Sequence, residues 1–272
     1  MGTSRGISTP SGGSWSPAKR EITAHLASPA SVPAARIVAG VLSALGGLGL
    51  AAGQGMRSSS SRTKGMESGS SGTSGGRRVP GSHAGQVGGA IAGLGGFASA
   101  VQGRGLADAL ERLDLDDLDG RPAVEVIARV SEKITEGLGG VDAEILRTAL
   151  NEAILEAAQL EEELGFTDLE AALQAFLSEQ GLNGFIELFL ARFVSDLVTA
   201  AILDHVDYKT SSDVETEALL SGIEIVCRDK VHTVVEQYRD AGRLNGVDWF
   251  GAAGTRLGRE LADAVVTQLR TV

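Results

Sequence analysis

The sequence predicts a mainly α protein: an irregular helical bundle of six or more helices, preceded by a long, basic, Gly/Ser-rich and partly disordered N-terminal region. Three observations carry this. Hydrophobic residues make up 43% of the 272 but aromatic residues only 4%, so Ala, Leu, Val and Ile supply the apolar share, as in packed helices rather than β-sandwiches. Charge divides the chain: residues 1–105 hold ten Lys/Arg against two acids, a balance of +8, with 24 of the 37 glycines, whereas residues 106–272 hold 14 basic and 33 acidic residues, a balance of −19. From Leu106 onward apolar residues recur at helical spacing. The reading is a flexible arm over 1–105, with short helices and a linker, joined to an acidic all-α domain over 106–272.

Met1 to Ser14 has a single bulky apolar residue after the initiator, Ile7, and nothing to bury. A short, marginal helix follows, with Ser16 as N-cap and Pro17 at its first position, running to about Ala27 before Pro29 and Pro33 stop it. Residues 37–53 form an uncharged, glycine-broken run, shorter than the roughly 20 apolar residues a bilayer needs, and read as a packed or loosely ordered segment rather than a membrane span. Residues 57–83 are low-complexity linker. Over 84–103, Val87, Ile91, Leu94, Phe97 and Val101 recur at helical spacing, predicting a close-packing helix at the edge of the folded body.

In the acidic part, Leu106–Leu113 opens the helical series, and Pro122 starts a helix with Val124, Ile127, Val130 and Ile134 on one face. A long helix runs from about Val141 to Leu164, closed by Glu161, Glu162 and Glu163 against the macrodipole, which suits a solvated terminus or a partner-facing patch. Thr167 to Glu170 reads as a capping box. The most apolar helix spans about Leu182 to Val206 and is predicted to be central. Ser211, Ser212 and Asp213 cap a helix to about Ala241, and Asp248 caps a last one ending near Arg270.

Motifs for chemistry are sparse. The single Cys227 closes no internal disulfide and fits a reducing cytoplasm, and four histidines are too few for a Cys/His zinc cage. G-x-S-x-G occurs at Gly2–Gly6 and Gly72–Gly76, in neither case after a strand. Dinucleotide-type glycine spacing at Gly47–Ala52 and Gly93–Ala98 lacks a βαβ setting, and no P-loop motif occurs. Asp114, Asp116, Asp117 and Asp119 lack the calcium-loop pattern, because Arg121 and Pro122 interrupt it, so they read as a turn with a solvated acidic face over Leu113, Leu115 and Leu118. His205, between Asp204 and Asp207, has no convergent partner, and Cys227 with His232 is not a facing pair. No active site, metal or cofactor is predicted.

What stands out is the tail. Removal of Met1 would expose the unhindered amine of Gly2, whose pKa of about 8 leaves part of it nucleophilic at neutral pH.

Met1-Gly2-Thr3-Ser4 with the Gly/Ser/Pro tract to Trp15, Leu113 to Pro122 (LDLDDLDGRP) followed by Glu125-Val126, and Gly139-Gly140-Val141-Asp142 together resemble the QatB family, the second component of bacterial Qat anti-phage defence systems. The likeness covers most of the chain in layout and is specific in residues 1–15 and 106–155. The chain departs from the pattern in lacking a Pro/Leu-rich approach to Trp15 and in shortening the GG-x-I-D step to GG-V-D. The resemblance implies a cytoplasmic, non-enzymatic component encoded with an ATPase, a QueC-like enzyme of the QatC type and a TatD-like nuclease. QueC enzymes activate a 7-deazaguanine carboxylate with ATP and hand it to an amine. The expectation is that the N-terminal segment enters the QueC-like active site for cleavage or modification. Gly2 is the simplest acceptor, Gly6, Gly12 and Gly13 are candidates if an internal glycine is exposed, and Thr3, Ser4 and Trp15 complete the partner-binding segment.

Two other readings compete. The basic arm suits a scaffold that binds nucleic acid, against which stand its lack of stacking aromatics and the −19 body. Membrane association through 37–53 and 84–103 would use small-residue helix pairing, with no stable insertion expected.

Overall fold

A computed structural model describes residues 15–46, 83–137, 141–159, 165–203 and 213–271. Among the described residues the protein is mainly α, with ten α-helices and no strand: α1 (Trp15–Ala27), α2 (Ala34–Ala44), α3 (His83–Arg104), α4 (Leu106–Glu111), α5 (Ala123–Ile134), α6 (Val141–Ala158), α7 (Phe166–Glu179), α8 (Gly181–Leu203), α9 (Asp213–Asp240) and α10 (Ala252–Arg270). A 3-10 turn, Asp116–Leu118, joins α4 to α5.

The bundle is organised by two axial helices. α8 lies between α6 and α9, as its continuous apolar run predicts, and it also reaches α3. The second axis is α3, which packs along the length of α10 and also touches α4, α5, α6, α7 and α8. The edge position expected for this helix is therefore corrected: Val87, Ile91, Leu94, Phe97 and Val101 are all buried in the middle of the molecule. Its glycines are the reason. A Cβ on Gly88 would stand 2.9 Å from the Thr255 carbonyl oxygen and the Arg259 nitrogen of α10, and one on Gly258 would stand 2.6 Å from the Gly88 carbonyl oxygen. Farther along, Gly93 receives Ile134, Gly95 receives the Trp249 ring and Gly96 receives Phe250. A sequence rich in glycine is thus helical here because backbone-to-backbone approach excludes a side chain.

Residues of the basic N-terminal region join the same apolar cluster as the acidic helices: Trp15, Ile22, Ile37 and Leu42 pack with Leu94, Phe185 and Val265. α1 is short, yet it is not marginal. Trp15 is 1% exposed, and burying about 150–250 Å² of an aromatic side chain contributes about 4–6 kcal/mol before entropic costs. The α1–α2 hairpin is further held by the His25 Nδ1 contact with the Val32 carbonyl at 2.6 Å and by an Arg36–Glu21 ion pair at 2.8 Å. Arg270, at the end of α10, donates to the Leu42 carbonyl at 3.2 Å and so ties the last helix to α2.

Several helix starts differ from the sequence reading. Ser16 lies within the first turn of α1 instead of capping it. α7 begins at Phe166 with Gly165 as N-cap, and the Asp168 carboxylate accepts the Gly165 N–H at 3.1 Å, so Thr167 is not the cap. Glu170 reaches across to the neighbouring helix and accepts the Leu106 N–H at 3.1 Å, capping α4 in place of its N-cap Gly105, which has no side chain and sits at φ 95°. α10 is capped by Gly251, and Asp248 contributes its backbone carbonyl to Gly254 at 3.1 Å rather than a side-chain cap. Glu161, Glu162, Glu163 and His205 lie outside the described residues, as do the Gly47–Ala52 and Gly72–Gly76 motifs. No helix among the described residues is long and apolar enough to cross a membrane.

The α3–α10 contact makes a clear stability prediction. Gly258→Val is expected to cost about 1–3 kcal/mol by overpacking. Gly89→Ala, whose Cβ meets nothing within 4 Å, is expected to gain about 0.5–1 kcal/mol of helix propensity. Urea unfolding followed by circular dichroism measures both.

Candidate functional site

Of the residues that the sequence singles out for partner contact, Gly2, Thr3, Ser4, Gly6, Gly12 and Gly13 lie outside the described residues. Trp15 is described, and its indole ring is in the core. The ring anchors the beginning of α1.

The Asp114–Asp119 turn keeps its apolar side inward. Leu113, Leu115 and Leu118 are buried, and Asp114 takes φ 56°, a left-handed conformation that Asp tolerates in turns. Asp116 and Asp119 line a shallow hollow of about 330 Å³ together with Asp108 and Glu111. Among the described residues no group of His, Cys, Asp and Glu is arranged to hold a metal ion. A neighbouring hollow of about 340 Å³ brings Arg129, Lys133, Thr135 and Arg147 to Asp114 and Glu136. Lys133 bridges Glu136 at 3.0 Å and Asp114 at 3.7 Å, and these carboxylates raise its pKa.

The densest polar cluster was not read from the sequence. α6, α8 and α9 meet around Arg192, whose guanidinium reaches Glu156 at 2.9 Å and Glu224 at 3.2 Å. Arg228 closes the ring with Glu156 at 3.1 Å and Glu224 at 3.4 Å. Glu152/Glu156, Arg192/Asp196 and Glu224/Arg228 are each four apart on one helix, so each pair was visible, but only the packing of three helices makes them one network. Asp196 sits at its inner side with one carboxylate oxygen buried and unpartnered. Burial, then Glu152 and Glu224, push its pKa up to about 6, and Arg192 opposes them.

Cys227 lies directly behind this network. It is fully buried, and burial with Glu224 and Asp196 nearby pushes the thiol up to about 12, so the thiolate needed for nucleophilic attack is not populated at neutral pH. His232 pairs instead with Glu187 on α8, Nδ1 to Oε1 3.0 Å, and this hydrogen bond raises its pKa. The sequence reading that Cys227 and His232 do not face one another holds. Gly93–Ala98 falls in the middle of α3, where no phosphate-binding turn exists.

The fold and these sites define a class: a mainly α protein whose densest cluster of charged groups among the described residues forms ion pairs between helices. The family model of QatB, the Qat anti-phage system associated protein QatB, matches residues 75–245, and the chain belongs to that family. It is accordingly a component of an anti-phage defence system. No curated protein and no solved structure matches the chain. The matched span runs from just before α3 through α9, so Gly2 to Trp15 and α10 lie outside it.

Two measurements follow from the cluster. The folded state holds the Asp196 proton more tightly than the unfolded chain, whose carboxyl titrates near 3.8, so this group lowers stability as pH rises from about 4 through about 6. Asp196→Asn is expected to raise Tm at pH 8 and to leave it nearly unchanged at pH 4; an equal gain at both would show that charge is not the cause. Cys227 is expected to resist alkylation by iodoacetamide in the native protein and to react fully in urea.

Proposed function

We propose that this QatB-family chain is the presented substrate of its defence system: the helical bundle docks on the QueC-like enzyme and offers residues 1–14 to that enzyme's active site. The observation that carries the reading is the burial of Trp15. It ties the Gly/Ser-rich segment to a packed bundle at one defined point, so docking of the bundle raises the effective concentration of the segment at the enzyme. A short extended peptide alone would give up too much conformational freedom to bind tightly. In this reading the chain supplies the acceptor and the partner supplies the catalysis. The Gly2 amine attacks the activated carboxylate, an amide bond forms, the activating group leaves and the amine loses a proton. Gly6, Gly12 and Gly13 are the acceptors if processing first exposes an internal glycine.

The test is the intact mass and N-terminal peptide mass of the protein expressed alone and with the QueC-like enzyme. The expected result is a partner-dependent mass change within residues 1–15, abolished when residues 2–14 are deleted, with the bundle melting as before. A mass unchanged apart from loss of Met1 would overturn the substrate reading in favour of a scaffold.

A further inference from the structure

α9 buries one face, Thr216, Leu219, Ile223 and Cys227, against the bundle. On the opposite face Val214, Ala218, Ser221 and Ile225 are all exposed, Val214 at 75% and Ile225 at 66%. Their spacing of four, three and four is the seam of a helix that pairs with another helix. Single exposed aliphatics are ordinary, but two of the four large exposed hydrophobics among the described residues fall on this one stripe.

Charge selects the occupant. Residues 213–225 contain four acids and no base, and Arg228, next along the same side of the helix, is held by Glu156 and Glu224. Glu217 borders the stripe on one side and Asp229 on the other, and both side chains are exposed and, among the described residues, make no ion pair. A second copy of this chain would bring the same carboxylates against them, and that repulsion disfavours pairing between copies. The small residues Ala218 and Ser221 at the centre, with Val214 and Ile225 at the ends, admit large side chains in the middle of the seam.

We infer that the outer face of α9 is a docking surface for a partner helix with an apolar stripe flanked by Lys and Arg. The surface is independent of whether residues 1–14 are processed, and it gives the acidic bundle a specific place to be held. Association is micromolar in strength, fast, and weakened by salt, because the seam is short and its border is charged.

The test uses the full chain and two synthetic amphipathic peptides with the same Leu stripe, one flanked by Lys and one by Glu, titrated by calorimetry. The expected result is binding of the Lys-flanked peptide and at least about tenfold weaker binding of the Glu-flanked one. Ile225→Lys and Val214→Lys each weaken the first by about tenfold or more, whereas Val124→Lys, at an exposed aliphatic on α5, leaves it unchanged. All three sites are exposed, and an unaltered melting curve confirms that each variant is folded. Equal affinity for the parent chain and the Ile225→Lys chain, or no binding of either peptide, overturns the proposal. A concentration-dependent dimer in sedimentation velocity that Ile225→Lys abolishes would also overturn it, in favour of a second copy.

Discussion

The bundle depends on the approach of α3 to α10 through Gly88 and Gly258. Each glycine receives the backbone of the other helix, at distances where a methyl group would collide. Because these two helices come so close, the rest of the core closes around them: α2 and α9 pack on α10, and α4 and α8 pack on α3. Dispersion contacts between backbones are individually weak, but they accumulate along the length of the crossing. The Gly/Ala-rich composition of α3, which in isolation weakens a helix, is the condition for this arrangement.

Around that crossing the charged residues divide into two populations. One links helices: Arg192 and Arg228 bind Glu156 and Glu224 across α6, α8 and α9, and His232 binds Glu187 between α8 and α9. Such partly exposed pairs each contribute little, on the order of 0–1 kcal/mol, and their effect is to select one register of three helices over others. The other population, represented by the Asp114–Asp119 turn and by Glu217 and Asp229, faces solvent and accounts for much of the negative field of the bundle. A negative field steers basic partners and repels phosphate.

The beginning of α1 is set by the core. Trp15, the first residue of α1, sits in the core and fixes where that helix begins. Membership in the QatB family places the chain in a defence system, and burial holds Cys227 as a protonated thiol.

The sequence by itself determined the helical class, most helix spans to within a few residues, the exclusion of Cys227 from a facing pair with His232, the inward leucines of the acidic turn, and the family. Each of these rests on local periodicity, composition or short motifs, which one segment carries without reference to another. It did not determine that Trp15, Ile37 and Leu42 share a core with Val265, that Glu170 of α7 caps α4, or that charged residues spaced i, i+4 on three helices form one network around Arg192. The capping box at Thr167 failed for the same reason, since Glu170 is drawn to the Leu106 N–H of another helix. The glycines of α3 are the plainest case: along the chain they read as weakness at an edge, and only the close approach of α10, a contact between segments some 170 residues apart, turns them into the centre of the fold, because whether a missing side chain is a loss or a requirement depends on what stands opposite.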